Sequence, residues 1–203
     1  MSTTAEAALI NSVARQCQII AGALITGVLI FYGIALAVDL EPGAPAQANA
    51  GPGAAAPQHD VPPLKTILTW CAVAIAVVGL PLSFLASRMI ASQNRRAIAA
   101  GTWALPRRYE LVEATFVSAE ATRSDAGKLA LGYMLQFLIG AALNEGVAFF
   151  AGVAYLIGKD PIALGAGFLL IGALVARFPT AHRLALWIAR QEEMLFLERQ
   201  AFA

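Results

Sequence analysis

One carboxylate stands inside a long apolar run. Glu145 lies within residues 129–157, flanked by Asn144 and otherwise by small and apolar side chains. An ionised carboxylate at the centre of a bilayer costs about 2.5–3.5 kcal/mol on insertion scales. Such a group must be protonated, hydrogen-bonded or open to water. No Lys or Arg lies at matching depth in the other apolar runs, so hydrogen bonding to Thr26, Thr69, Ser83 or Asn144, or simple protonation, is expected rather than an ion pair. Two chemistries follow. A neutral acid links helices by hydrogen bonds, or an acid binds and releases a proton or cation, with Glu145, Asn144 and Thr26 as the ion-binding candidates.

Other chemistry finds little support. The chain has no H-E-x-x-H, P-loop, G-x-S-x-G or G-x-G-x-x-G pattern. Its two histidines, His59 and His182, and its two cysteines, Cys17 and Cys71, form no ligand cluster. We therefore expect no enzyme, no metal and no cofactor. A net charge of +1 gives no reason to expect nucleic acid.

The elements that position Glu145 follow from hydropathy. Of 203 residues 59% are hydrophobic and 13% charged, with mean hydropathy +0.67. A soluble domain carries about 25% charge. The apolar residues gather in four runs, at about 18–38, 66–87, 129–157 and 161–178. A hydrocarbon core of about 30 Å needs about 20 helical residues, and only helices or closed barrels satisfy their own backbone there. The fold class is therefore an all-α integral membrane protein. Four transmembrane helices form two tandem hairpins, and an amphipathic C-terminal helix follows. The fourth run barely spans. The first is longer than a secretory h-region of about 7–15 residues, so it reads as a retained helix despite Ala46-Gln47-Ala48 after it.

Charge sets the orientation. Twelve of the fourteen basic residues fall in residues 1–17, 88–128 and the tail from 177; Lys65 and Lys159 are the other two. Cytoplasmic loops collect Lys and Arg. Both termini are expected in the cytoplasm, with the chain in the cell membrane. The organisation is then a first membrane hairpin over 1–87, a basic cytoplasmic segment over 88–128, a second hairpin over 129–178 and an amphipathic tail over 179–203. The Pro/Ala/Gly-rich stretch 39–64 is an extracytoplasmic linker. Residues 87–100 continue the second helix into water, ending near Gly101. An amphipathic stretch follows Pro106. Gly158, Asp160 and Pro161 read as a helix stop, an N-cap and a first-turn proline, which predicts a tight hairpin. In the tail, Leu184, Trp187, Ile188, Leu195 and Phe202 recur at helical spacing. That face either lies at the membrane interface or packs on segment 88–128.

The first and third runs also match each other. At an offset of 119, residues 22–38 and 141–157 are identical at seven of seventeen positions, including Gly27/Gly146, Phe31/Phe150 and Gly33/Gly152. The match reads as a duplicated hairpin, with Thr26 where the third helix has Glu145. Ala23 with Gly27, Ala142 with Gly146, and Ala148 with Gly152 are small-xxx-small pairs that let helices approach closely. They are the helix-packing candidates, and they favour a structural or accessory protein that associates with a second copy or with another membrane protein in the bilayer.

A single acid among small and apolar residues at 141–157, in a duplicated helical hairpin, resembles the proteolipid rotor-ring (c-type) subunits of rotary ATPases. The resemblance implies that Glu145 carries a proton or sodium ion. The chain departs from that pattern: its acid lies on the first helix of a pair, its orientation is reversed, and segments 39–64 and 88–128 have no counterpart.

Overall fold

A computed structural model describes residues 4–40, 64–104 and 124–202. The linker read over 39–64 and the amphipathic stretch after Pro106 lie almost wholly outside these residues. The described chain is helical, with α1 over Thr4–Leu40, α2 over Leu64–Ala99, α3 over Asp125–Gly158, α4 over Pro161–Ala176 and α5 over Ala181–Phe202.

The helix ends follow local chemistry. Gly101 takes φ 68°, a left-handed conformation that glycine adopts without steric cost, and stops α2 where the sequence predicts. Ser124 caps α3 by accepting from the Gly127 N–H at 3.0 Å. At the tight turn the left-handed cap falls on Lys159 (φ 52°) rather than on Gly158, which remains helical. The Lys159 ammonium lies 5.6 Å from the Tyr155 ring centroid, a cation–π contact. Asp160 then accepts from the Ile162 N–H at 2.9 Å, and Pro161 opens α4.

Three helices, α1, α2 and α3, are long and apolar enough to cross a membrane. At 34 to 37 residues each exceeds the span it needs and projects beyond it. The fourth apolar run is divided. α4 has only 16 residues, a rise of about 24 Å, and α5 leaves it at 72°. The chain thus has three candidate spans, or four if the bent pair counts as one.

α3 is the hub. α1 runs parallel to it: Leu9, Val13 and Cys17 cluster with Ala126, Leu129 and Ala130 at one end, and Ala35 with Ala151 and Ala154 towards the other. α2 runs antiparallel, with Asn94 beside Gly132, Ser87 beside Gly140 and Gly79 beside Val147. α4 folds back on α3 as the short turn predicts. Within the described residues no Cα of α1 comes within 8 Å of one in α2. The close backbone approaches of both helices are instead to α3, α4 and α5, while side chains of α1 and α2 share buried clusters such as Ala35 with Ala72.

α5 closes the end of the bundle that carries the N-terminus. Leu184, Ile188 and Leu195 are buried with Leu9, Val13, Cys17, Ile98 and Leu129. Trp187 packs edge-on against Tyr133, ring centroids 5.1 Å apart. Leu184, Ile188 and Leu195 of the apolar stripe read in the tail are thus covered by the projecting ends of α1, α2 and α3, and the Phe202 side chain lies outside the described residues.

Candidate functional site

The structure separates the residues nominated from the sequence. Asn144 and Glu145 are neighbours but point to different sides of α3, since successive helical residues diverge by about 100°. Asn144 lies on the α2-facing stripe, between Gly140 and Val147. It is 1% exposed, and neither its amide nitrogen nor its oxygen has a hydrogen-bond partner. Glu145 lies on the other side of that stripe, one turn before Phe149, whose ring packs against Phe31 of α1 at 5.2 Å. It is half-buried and forms no hydrogen bond or ion pair among the described residues. Thr26 is exposed on α1. Thr69 is buried without a partner in α2, and the Ser83 hydroxyl is engaged elsewhere. The acid and its four candidate partners are thus not brought together.

The small residues also divide into two groups. Ala148 and Gly152 are internal. The Tyr32 hydroxyl donates to the Ala148 carbonyl at 2.9 Å, and a Cβ at Gly152 would press into the rings of Phe31 and Tyr32. Ala23, Ala142 and Gly146 are exposed, and a Cβ at Gly27 or Gly146 would meet nothing within 4 Å. These four contribute little to packing within the chain. Glu145 borders the outward pair Ala142 and Gly146, so its carboxyl stands beside a surface on which another helix can lie close.

A second polar locus lies nearer the basic end. Arg177, just past α4, donates from Nη1 to the Ser83 Oγ at 3.1 Å, and its guanidinium carbon lies 3.3 Å from the centroid of the Phe84 ring. The Ser83 hydroxyl also donates to the Leu80 carbonyl at 2.7 Å, and Ser87 donates to the Ser83 carbonyl at 2.8 Å. Pro81, in the same turn of α2, lacks the N–H that would bond the Val77 carbonyl, while the two serine hydroxyls bond the Leu80 and Ser83 carbonyls. Beside them opens a cavity of about 300 Å³ among α2, α3, α4 and α5. From the sequence, Arg177 read only as a topological charge and Ser83 only as a partner for Glu145. The available signal was an arginine closing an apolar run too short to span, together with two serines four residues apart on one helix.

No family model, curated protein or solved structure matches the chain.

Proposed function

We propose that this is a multi-pass membrane protein of structural or accessory type that associates with another membrane chain through the outward side of α1 and α3. The observation that carries this reading is the unpartnered Glu145 beside the exposed Ala142 and Gly146. Small residues allow a second helix to approach, and a carboxyl in hydrocarbon gains from any partner that helix supplies. The partner is a second copy or a different membrane protein. Most of the described basic residues, including Arg15, Arg95, Arg96, Arg183 and Arg190, gather at the end closed by α5, with Lys65 and Lys159 at the other. This supports a cell-membrane location with that end cytoplasmic.

Disulfide cross-linking tests the association. Val153 is exposed on the same side of α3. Val153→Cys, in a background with Cys17 and Cys71 replaced by alanine, is expected to give cross-linked dimers in native membranes, or a cross-linked hetero-species of fixed mass. Glu145→Leu should abolish the product, and Glu145→Gln should retain it because glutamine still hydrogen-bonds. A chain that stays monomeric with Glu145 intact overturns the reading.

The same unpaired carboxyl supports a second reading, in which Glu145 binds and releases a proton or cation, as the rotor-ring resemblance implies. Carbodiimide reacts with protonated carboxyls in apolar surroundings. A pH-dependent adduct on Glu145 that one cation suppresses, with ion flux in liposomes lost in Glu145→Gln, would favour it over association.

A further inference from the structure

The Arg177 cavity has the chemistry of a phosphate site at the level of lipid headgroups. Its depth follows from α2 and α3. Counting about 20 residues, one bilayer core, from the far end of each reaches about Leu85 in α2 and about Ile139 in α3, and Arg177 directly follows the last residue of the short α4. The cavity is lined at those levels by Ser87 and Arg88, by Gln136 and Gly140, and by Arg177. It therefore opens where hydrocarbon gives way to headgroups. The Tyr133–Trp187 pair forms part of its wall, a placement typical of interfacial aromatics.

Its charge is unbalanced. Among the described residues no carboxylate pairs with Arg177 or with Arg88 on the rim. One Arg177 N–H is committed to Ser83, and the Phe84 ring holds the guanidinium plane in place. A guanidinium has five N–H donors, so donors remain for an anion, and this group matches phosphate geometry. The Gln136 Oε1, buried in the same wall, has no hydrogen-bond partner. An orphan acceptor calls for a donor on the ligand.

We infer that this cavity binds the phosphodiester of a membrane phospholipid whose headgroup carries an O–H or N–H donor, with Arg177 and Arg88 on the phosphate and Gln136 on the headgroup. Glycerol and ethanolamine headgroups meet that description, and choline does not. Free phosphate shares the anion chemistry but has no acyl chains to hold it at a membrane-facing opening.

Native mass spectrometry of the intact chain, released from detergent with equimolar phosphatidylglycerol, phosphatidylethanolamine and phosphatidylcholine, tests this. The wild type is expected to retain one phosphatidylglycerol or phosphatidylethanolamine in preference to phosphatidylcholine. Arg88→Gln with Arg177→Gln should lower the retained fraction about tenfold, the scale of a lost charge-assisted hydrogen bond. Gln136→Leu should remove the preference over choline while leaving phosphate-dependent binding. Because Arg177 also bonds Ser83, Arg88→Gln is measured alone as well; Arg88 makes no bond among the described residues, and this variant should weaken retention at an unchanged melting temperature. Equal lipid adducts in wild type and double variant overturn the inference, as does equal retention of the choline lipid. Protection by inorganic phosphate without any lipid adduct would assign the same groups to free phosphate and overturn the lipid source.

Discussion

The Tyr32 hydroxyl donates to the Ala148 carbonyl at 2.9 Å, and its ring occupies space that two glycines leave open. Gly152 of α3 lies against one edge of the ring, and Gly167 of α4 against the hydroxyl. One side chain of α1 thereby locks α3 and α4 together. Tyr32→Phe removes a single buried hydrogen bond and should cost about 1 kcal/mol. Gly167→Ala has to displace the tyrosine and should cost about 1–3 kcal/mol, as overpacking does. Combined with Tyr32→Leu, the alanine should cost less than the sum of the two single changes. Thermal unfolding in detergent measures these three and Tyr32→Leu alone. A Gly167→Ala chain as stable as wild type would remove the basis for this lock.

Gly132 plays the same part between α3 and α2. A Cβ there would overlap the Asn94 amide, whose Oδ1 accepts from the Trp103 Nε1 at 2.6 Å. Gly132→Ala should push Asn94 aside and release the indole. With Trp70 and Trp187 replaced by phenylalanine, acrylamide quenching of the remaining Trp103 emission should rise. Unchanged quenching would mean that Asn94 moves without taking the indole with it.

α5 is tied to α2 by Arg95, which donates from Nε to Glu198 at 2.7 Å and from Nη1 to Gln191 at 2.8 Å. The two charged side chains retain only 15% and 25% exposure, so solvent screens the pair only in part. Its removal should cost about 1–3 kcal/mol, the range for hydrogen bonds to charged groups. The local consequence is larger. Arg95→Ala should speed tryptic cleavage at Arg190 and Arg199 several-fold by loosening α5, with a smaller effect of raised salt on the wild type. An unchanged cleavage rate would show that the apolar contacts of Leu184, Ile188 and Leu195 hold the helix without it.

The orientation proposed from charge is checked by labelling. His182 and Lys159 are both exposed and lie at opposite ends of the bundle. With the native cysteines replaced by alanine, Lys159→Cys should react with a membrane-impermeant maleimide in intact cells. His182→Cys should react only after lysis. The reverse pattern would invert the topology.

Much of the secondary structure was legible because it rests on local chemistry. Unbroken apolar runs set α1, α2 and α3. The stop at Gly101 and the cap at Asp160 need only neighbouring residues. The tail stripe of Leu184, Ile188 and Leu195 was visible as helical spacing, but its two possible coverings could not be separated. Helical periodicity shows that a face is apolar without naming what meets it. The charge of Glu145 in an apolar run was equally plain, since burying an acid carries its cost wherever the helix lies.

Which faces meet was decided only by packing. Hydropathy suggested two hairpins, yet α3 takes the centre, and within the described residues the backbones of α1 and α2 stay more than 8 Å apart, Cα to Cα. Six small residues looked equivalent as packing positions. Ala148 and Gly152 turn inward on Tyr32, whereas Ala142 and Gly146 turn outward. Helical spacing places side chains relative to their own axis. The rotation of that axis depends on every neighbour at once, on bulky Tyr32 fitting opposite two glycines and on Ser83 meeting Arg177 across 94 residues. A one-dimensional pattern carries the cost of each group, and only the assembled helices determine which group relieves it.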